Sequence, residues 1–257
     1  MSFDDVAQRL YDAHHTGEPV PAPSSLVPGL DMPGAYAIQS SLVGRLRQDG
    51  RALIGYKVGM VSAVRRRSLR PGGPIYGRLL SGMVIDPVEP VDTRGLRNPE
   101  VEGEIAFVLD RPLSGPGVTV AAVLAATRGV VPALEIIAAR LAPGEHRPED
   151  SVADNAESAL AVVGGALVPV EGIDLRLVGA VLSRNGEILA TGAGAQVLGH
   201  PAQSVAWLAN ALHERGEGLR AGQIVLAGSV TGAFAVSAGE TVTAEFDRLG
   251  CVSATFA

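Results

Sequence analysis

The segment Glu100-Val101-Glu102-Gly103-Glu104-Ile105-Ala106-Phe107-Val108-Leu109 carries an acid at every second residue and then turns strongly apolar. In an extended strand alternate residues share a face, so Glu100, Glu102 and Glu104 point the same way, with neighbouring backbones roughly 7 Å apart. Like charges that close repel. The apolar continuation says that the strand enters a core, where an unpaired carboxylate is costly or takes up a proton. Glu135 raises the same conflict elsewhere, because it stands alone in Val130-Val131-Pro132-Ala133-Leu134-Glu135-Ile136-Ile137, a buried-looking strand with no local reason for a charge. A bound cation would resolve both conflicts, and carboxylates that leave positions open to water suit Mg²⁺ or Mn²⁺ rather than zinc. A Glu-x-Glu pair also marks an ordinary solvated strand face, so the residues alone leave both readings open.

A second group invites chemistry. Of the 21 basic residues, 20 are Arg and the remaining one is Lys57. An ammonium can lose its proton at accessible pH, whereas a guanidinium effectively cannot. Chance or a structural ion pair is the plainer explanation. His14, His15, His146, His200 and His213 show no metal-ligand spacing and no nucleophile partner. Cys251 is the only cysteine, which excludes an internal disulfide and a thiolate metal cluster.

The elements that must position these groups can be read from periodicity. Ser2 caps a first helix with Asp4 and Asp5 in its first turn and Val6, Leu10 and Ala13 on one face. Thr16 to Leu30, with four prolines, reads as a connecting loop. A second helix begins near Pro33 and stops before Gly50, burying Ile38, Leu42 and Leu46. Beyond Gly55 short β-like runs dominate, with helices expected at about Val118–Arg128 and Gln203–Glu214. Asn185-Gly186 between two apolar runs predicts a two-residue hairpin, and the runs 241–246 and 251–256 predict another.

Composition sets the outer limits. With 47% hydrophobic but only 4% aromatic residues, the 257-residue chain must build its core from Ala, Val, Leu and Ile. A net charge of −6 argues against a nucleic-acid partner, and the local run Arg65-Arg66-Arg67 with Arg70 reads as a solvated loop or helix face. No apolar run reaches the roughly 18 residues of a membrane span, and the acidic start is unlike a secretory signal, so the expectation is a cytoplasmic protein with no membrane partner. The Ala/Val-rich surface suggests a homo-oligomer.

Seven segments in order resemble the hydratase/decarboxylase branch of the fumarylacetoacetate hydrolase superfamily. They are Gly55-Tyr56-Lys57-Val58-Gly59, Tyr76-Gly77-Arg78-Leu79-Leu80, Val101 to Phe107, Pro132-Ala133-Leu134-Glu135, Ala153-Asp154-Asn155-Ala156, Val205-Ala206-Trp207-Leu208 and Gly228-Ser229-Val230-Thr231. The resemblance implies an α+β fold of mixed β-roll, barrel-like type, divided into a smaller N-terminal α/β portion at 1–75 and a catalytic domain at 76–257. It implies that Glu102, Glu104 and Glu135 bind the metal, that Lys57 is the acid/base, and that Asp154, Asn155 and Thr231 belong to the substrate pocket. The activity implied is that of a metal-dependent lyase on a small 2-hydroxydienoate or 2-oxo-enoate, hydration first, with decarboxylation of a 2-oxo acid or keto–enol tautomerisation as alternatives. A catalytically silent, metal-binding partner subunit is the alternative of another class. Ser81 is the second catalytic candidate beside Lys57: members of this branch usually carry an Asp at its position, and a hydroxyl there can hold a water but is no base at neutral pH. Glu157 and Leu160 also stand where small or polar residues are usual.

Overall fold

The computed structural model describes residues 1–61 and 73–257; the Arg65–Arg67 and Arg70 run lies outside them. The chain opens with helix α1 (Phe3–Thr16), whose start is fixed by a reciprocal cap: the Ser2 hydroxyl accepts from the Asp5 amide at 3.2 Å, and the Asp5 carboxylate accepts from the Ser2 amide at 3.1 Å. The stretch expected to be plain loop contains a short helix, α2 (Pro23–Leu26), which Pro23 starts with its preset φ. Helix α3 (Met32–Gln48) is capped by Asp31 and packs on α1 through a stripe that includes Ile38, Leu42 and Leu46.

Eleven strands follow among the described residues: β1 (Leu53–Gly59), β2 (Ile75–Leu80), β3 (Val84–Ile85), β4 (Glu100–Leu109), β5 (Thr127–Ile137), β6 (Ser158–Val163), β7 (Gly179–Arg184), β8 (Glu187–Ala193), β9 (Ile224–Ala235), β10 (Thr241–Phe246) and β11 (Gly250–Thr255). Helices α4 (Val120–Ala126), α5 (Pro148–Ala153) and α6 (Pro201–His213) are interspersed, and a 3-10 turn covers Asn155–Glu157. Helix α4 is shorter than the expected Val118–Arg128. Thr119 caps it, and β-branched Thr127 already begins the extended run of β5.

Seven strands form a mixed, curled sheet in the order β2-β1-β9-β4-β5-β6-β3, and four form a second sheet, β11-β10-β7-β8. The predicted hairpin is present, with Asn185 and Gly186 both in the left-handed region at φ 52° and 85° between β7 and β8. The two sheets pack face to face through β5 against β10 and β11, and β8 against β9. Contact there is close enough to demand glycine: a Cβ on Gly192 would sit 2.0 Å from the Val230 carbonyl oxygen. The architecture is the α+β, mixed β-roll type that the motifs implied. No helix among the described residues is long and apolar enough to cross a membrane.

Candidate active site

The β4–β5 register sets Glu102 directly opposite Glu135, and alternation along β4 puts Glu104 on the same face. One oxygen from each of the three carboxylates lies within 4.8 Å of the other two. Glu104 and Glu135 are fully buried and Glu102 partly so. Glu100 shares the alternation but stays outside this group, at the end of β4 opposite Ile137. The cluster thus takes two successive positions of one strand and a cross-strand partner, not three positions of one strand.

Lys57 arrives from β1, which runs parallel to β9 and pairs Lys57 with Leu226. Its Nζ is 3.1 Å from Glu135 Oε1, with both side chains buried. Apart from this contact with Lys57, both oxygens of Glu135 and Oε1 of Glu104 are buried with no hydrogen-bond donor among the described residues. Burial works against the Lys57 ammonium, but the carboxylates of Glu135, Glu102 and Glu104 outweigh it and hold its pKa above the ordinary lysine value. Burial, and then repulsion from Glu135 and Glu102, drives the Glu104 carboxyl well above the usual carboxylate range, against the pull of Lys57 and the Gly228 amide.

Strand β9 bulges where it passes these acids: Glu102 pairs with Ala233, Glu104 with Ser229 and Ala106 with Leu226, so β9 spends extra residues beside Glu104. The bulge turns its backbone and side chains onto the site. The Gly228 amide donates to Glu104 Oε2 at 2.7 Å, and the Thr231 hydroxyl accepts from the Gly103 amide at 3.1 Å, pinning the peptide between Glu102 and Glu104. Gly228 has φ 110°, and a Cβ on it would fall 2.4 Å from Val61 Cγ2, so the motif requires glycine there.

A cavity of about 90 Å³ opens beside Glu102 and is lined by Gly59, Met60, Gln196, Ser229 and Gly232, among others. Of these, Gly59 and Ser229 belonged to motifs legible in the sequence as functional. Gln196 arrives from the 3-10 turn Gly194–Gln196 that follows β8, with no local signal. The remaining expected residues are not gathered here. The Ser81 hydroxyl accepts from the Ala52 amide at 2.9 Å, where β2 leaves its pairing with β1, four residues along from Gly77, the partner of Lys57. Asp154 accepts from the Arg140 amide and Nε, at 2.8 and 2.7 Å. The Asn155 side chain clasps the backbone of Arg78, accepting from its amide at 2.7 Å and donating to its carbonyl at 2.9 Å. The Asn155 side chain holds the Asn155–Glu157 turn, all three of whose residues have positive φ, against β2, while Asp154 ties the start of that turn to Arg140 beyond β5. The Asn155 carbonyl lies where a Cβ of Gly77 would be, at 2.3 Å.

Three carboxylates and one ammonium sum to a formal charge of −2, which a single divalent cation would neutralise. Carboxylates converging from two strands, with Oε1 of Glu104 and both oxygens of Glu135 buried and lacking a hydrogen-bond partner, are the donor set that a hard cation takes. The chain is 38% identical over 251 residues to a 4-oxalocrotonate decarboxylase of Pseudomonas sp. (strain CF600), covering 98% of this chain and 95% of that one. It is 38% identical over 253 residues to a 2-keto-4-pentenoate hydratase of Paraburkholderia xenovorans (strain LB400), covering 98% and 94%. The solved 4-oxalocrotonate decarboxylase of Pseudomonas putida G7, complexed with magnesium and adipate, superposes with a TM-score of 0.95 at 35% identity over 99% of this chain and 97% of that one. The model of the fumarylacetoacetate hydrolase C-terminal family matches residues 66–257, and the chain belongs to that family.

Proposed function

We propose that Glu102, Glu104 and Glu135 hold one Mg²⁺ or Mn²⁺ and that the chain is a hydro-lyase adding water to a small 2-hydroxydienoate or 2-oxo-enoate, with Lys57 as the proton-transfer group. The single observation that carries this reading is the convergence of three glutamate oxygens within 4.8 Å in a buried site that also contains Lys57. A divalent cation held there supplies Lewis-acid stabilisation of negative charge on a bound 2-oxygen. Lys57 Nζ, the only ammonium of the chain's side chains, is positioned by Glu135 and can hand a proton to the substrate carbon chain. Thr231 keeps the peptide between Glu102 and Glu104 in place and so positions two of the three ligands. The partly exposed Glu102 and the adjoining cavity give a small acid its route in.

Decarboxylation of a 2-oxo acid is the second reading, and Ser81 favours it. Losing CO₂ needs the same charge stabilisation and the same proton but no group to activate water, and the Ser81 hydroxyl is already committed to the Ala52 amide. Cytoplasmic location and self-association belong to the same proposal. The test is direct: Mg²⁺-loaded protein is mixed with 2-hydroxypenta-2,4-dienoate while dienol absorbance is followed, and with 4-oxalocrotonate while CO₂ is measured. Loss of dienol absorbance with a hydrated product and no CO₂ supports the hydratase, loss with only the 2-oxo tautomer formed supports the tautomerase, and CO₂ release supports the decarboxylase. Inertness toward both, with Mg²⁺ bound, favours the silent partner subunit.

A further inference from the structure

We infer that the cavity at the foot of α1 is a binding site for a small carboxylate anion, separate from the glutamate cluster and independent of its assigned function. The cavity, of about 150 Å³, lies between the end of α1 at His14, the end of α3 at Leu46, and Leu160 of β6, with Arg51 and Arg97 in its wall. Its described lining contains no acidic side chain. Arg140 also reaches it, but that guanidinium is neutralised by Asp154 at 2.7 Å. Arg51 and Arg97 have no such partner among the described residues, and two nitrogens, His14 Nε2 and Arg97 Nε, are buried with no hydrogen bond. An unmet buried Arg97 N–H and an unpartnered imidazole nitrogen beside two uncompensated positive charges are unfavourable in the cavity, and one anion would meet the arginine charges and accept from Arg97 and from His14 in its Nε2–H tautomer.

The other half of the wall identifies the class of anion. Leu46, Met83, Leu96 and Leu160 are apolar. Phosphate would press charged oxygens against them, whereas a carboxylate with a short aliphatic chain meets the arginines with its head and the leucines with its tail. At about 30 Å³ for each water-sized group, the space takes an acid of about three to five carbons. The cavity is on the other side of the sheet from the metal ligands. Ala161 pairs with Glu135 and Leu160 with Ile136, so strand alternation turns Leu160 away from the face that carries Glu135. Leu160 is also one of the residues at which the sequence departs from its family's usual pattern, which gives that departure a location.

The test uses the full-length protein labelled with ¹⁵N-histidine, with the His14 imidazole signals identified by their loss in His14→Gln. Butyrate, inorganic phosphate and the neutral isostere butyramide are titrated into Mg²⁺-loaded wild type and into Glu135→Gln. Butyrate is expected to shift the His14 signals saturably in both proteins, butyramide to leave them unmoved, and Arg97→Ala to weaken butyrate binding by about tenfold or more. Arg51→Ala, expected to act in the same direction, serves if the Arg97 variant does not fold. The inference is overturned if tens of millimolar butyrate leaves His14 unmoved, if phosphate alone binds, or if binding ignores both arginines. Binding that vanishes in Glu135→Gln and ignores Arg97 would put the ligand at the glutamate cluster and equally overturn it.

Discussion

Replacing Glu104 by Gln is expected to move the metal-free and metal-loaded proteins in opposite directions. Glutamine keeps the shape and still offers an oxygen to the Gly228 amide, which donates to Glu104 Oε2 at 2.7 Å, so the change removes charge and little else. Without a cation, Glu104 is a fully buried carboxylate within 4.8 Å of two others. At an effective dielectric constant of about 20, one such repulsion amounts to about 3.5 kcal/mol. Lys57 and proton uptake by Glu104 relieve part of it, so the variant should gain about 1–3 kcal/mol, or roughly 2–12 °C in Tm for a chain of this size. With a cation the order reverses. Wild type at 100 times its Kd for Mg²⁺ gains about 2.7 kcal/mol, roughly 5–11 °C, while the variant, short of one ligand, responds little at the same concentration. Scanning calorimetry of both proteins in EDTA and in excess Mg²⁺ reads all four values. A variant that melts lower in EDTA and rises as far as wild type with Mg²⁺ would refute the argument that this trio tolerates its own repulsion in order to grip an ion.

Lys57→Met should lower turnover of the accepted substrate by about 10²–10⁴-fold while Mg²⁺ affinity stays equal or rises, since a positive charge leaves the site; steady-state rates paired with titration calorimetry check it, and undiminished turnover would remove Lys57 from the chemistry. Ser81→Ala should reduce stability by about 1 kcal/mol through its lost bond to Ala52 yet leave turnover within a factor of two, so a rate loss as large as that of Lys57→Met would restore a catalytic part for this hydroxyl. Burial, and then the charges of Arg140, Arg51 and His15, hold the His14 imidazole well below its ordinary 6.5. The unfolded chain therefore binds that proton first, stability is full above pH 6.5 and falls as pH drops below it by up to about 1.4 kcal/mol per unit, and urea midpoints of wild type against His14→Gln should diverge there.

What the sequence determined by itself is what depends on a few consecutive residues. The Ser2 cap, the α3 stripe and the Asn185-Gly186 turn are legible because helix and turn geometry is settled within one or two turns of chain. The likeness of Glu102 to Glu104 is legible for the same reason, since a strand repeats every two residues. Even the conflict posed by a charge in an apolar run is local, and it singled out Glu135. The meeting of these residues is decided elsewhere. Glu135 faces Glu102 only through the β4–β5 register, and Lys57 reaches them only because β1 lies parallel to β9, so closely that a Cβ on Gly55 would sit 2.0 Å from the Ile224 carbonyl oxygen. The same long-range contacts exclude Glu100 from the cluster and commit Ser81, Asp154 and Asn155 to neighbouring backbone and to Arg140. Residue type states which bonds a side chain is able to make. Which partner it finds, from 14 residues away for Asp154 and Arg140 to 169 for Lys57 and Leu226, depends on how the sheets pack, and no local preference encodes that.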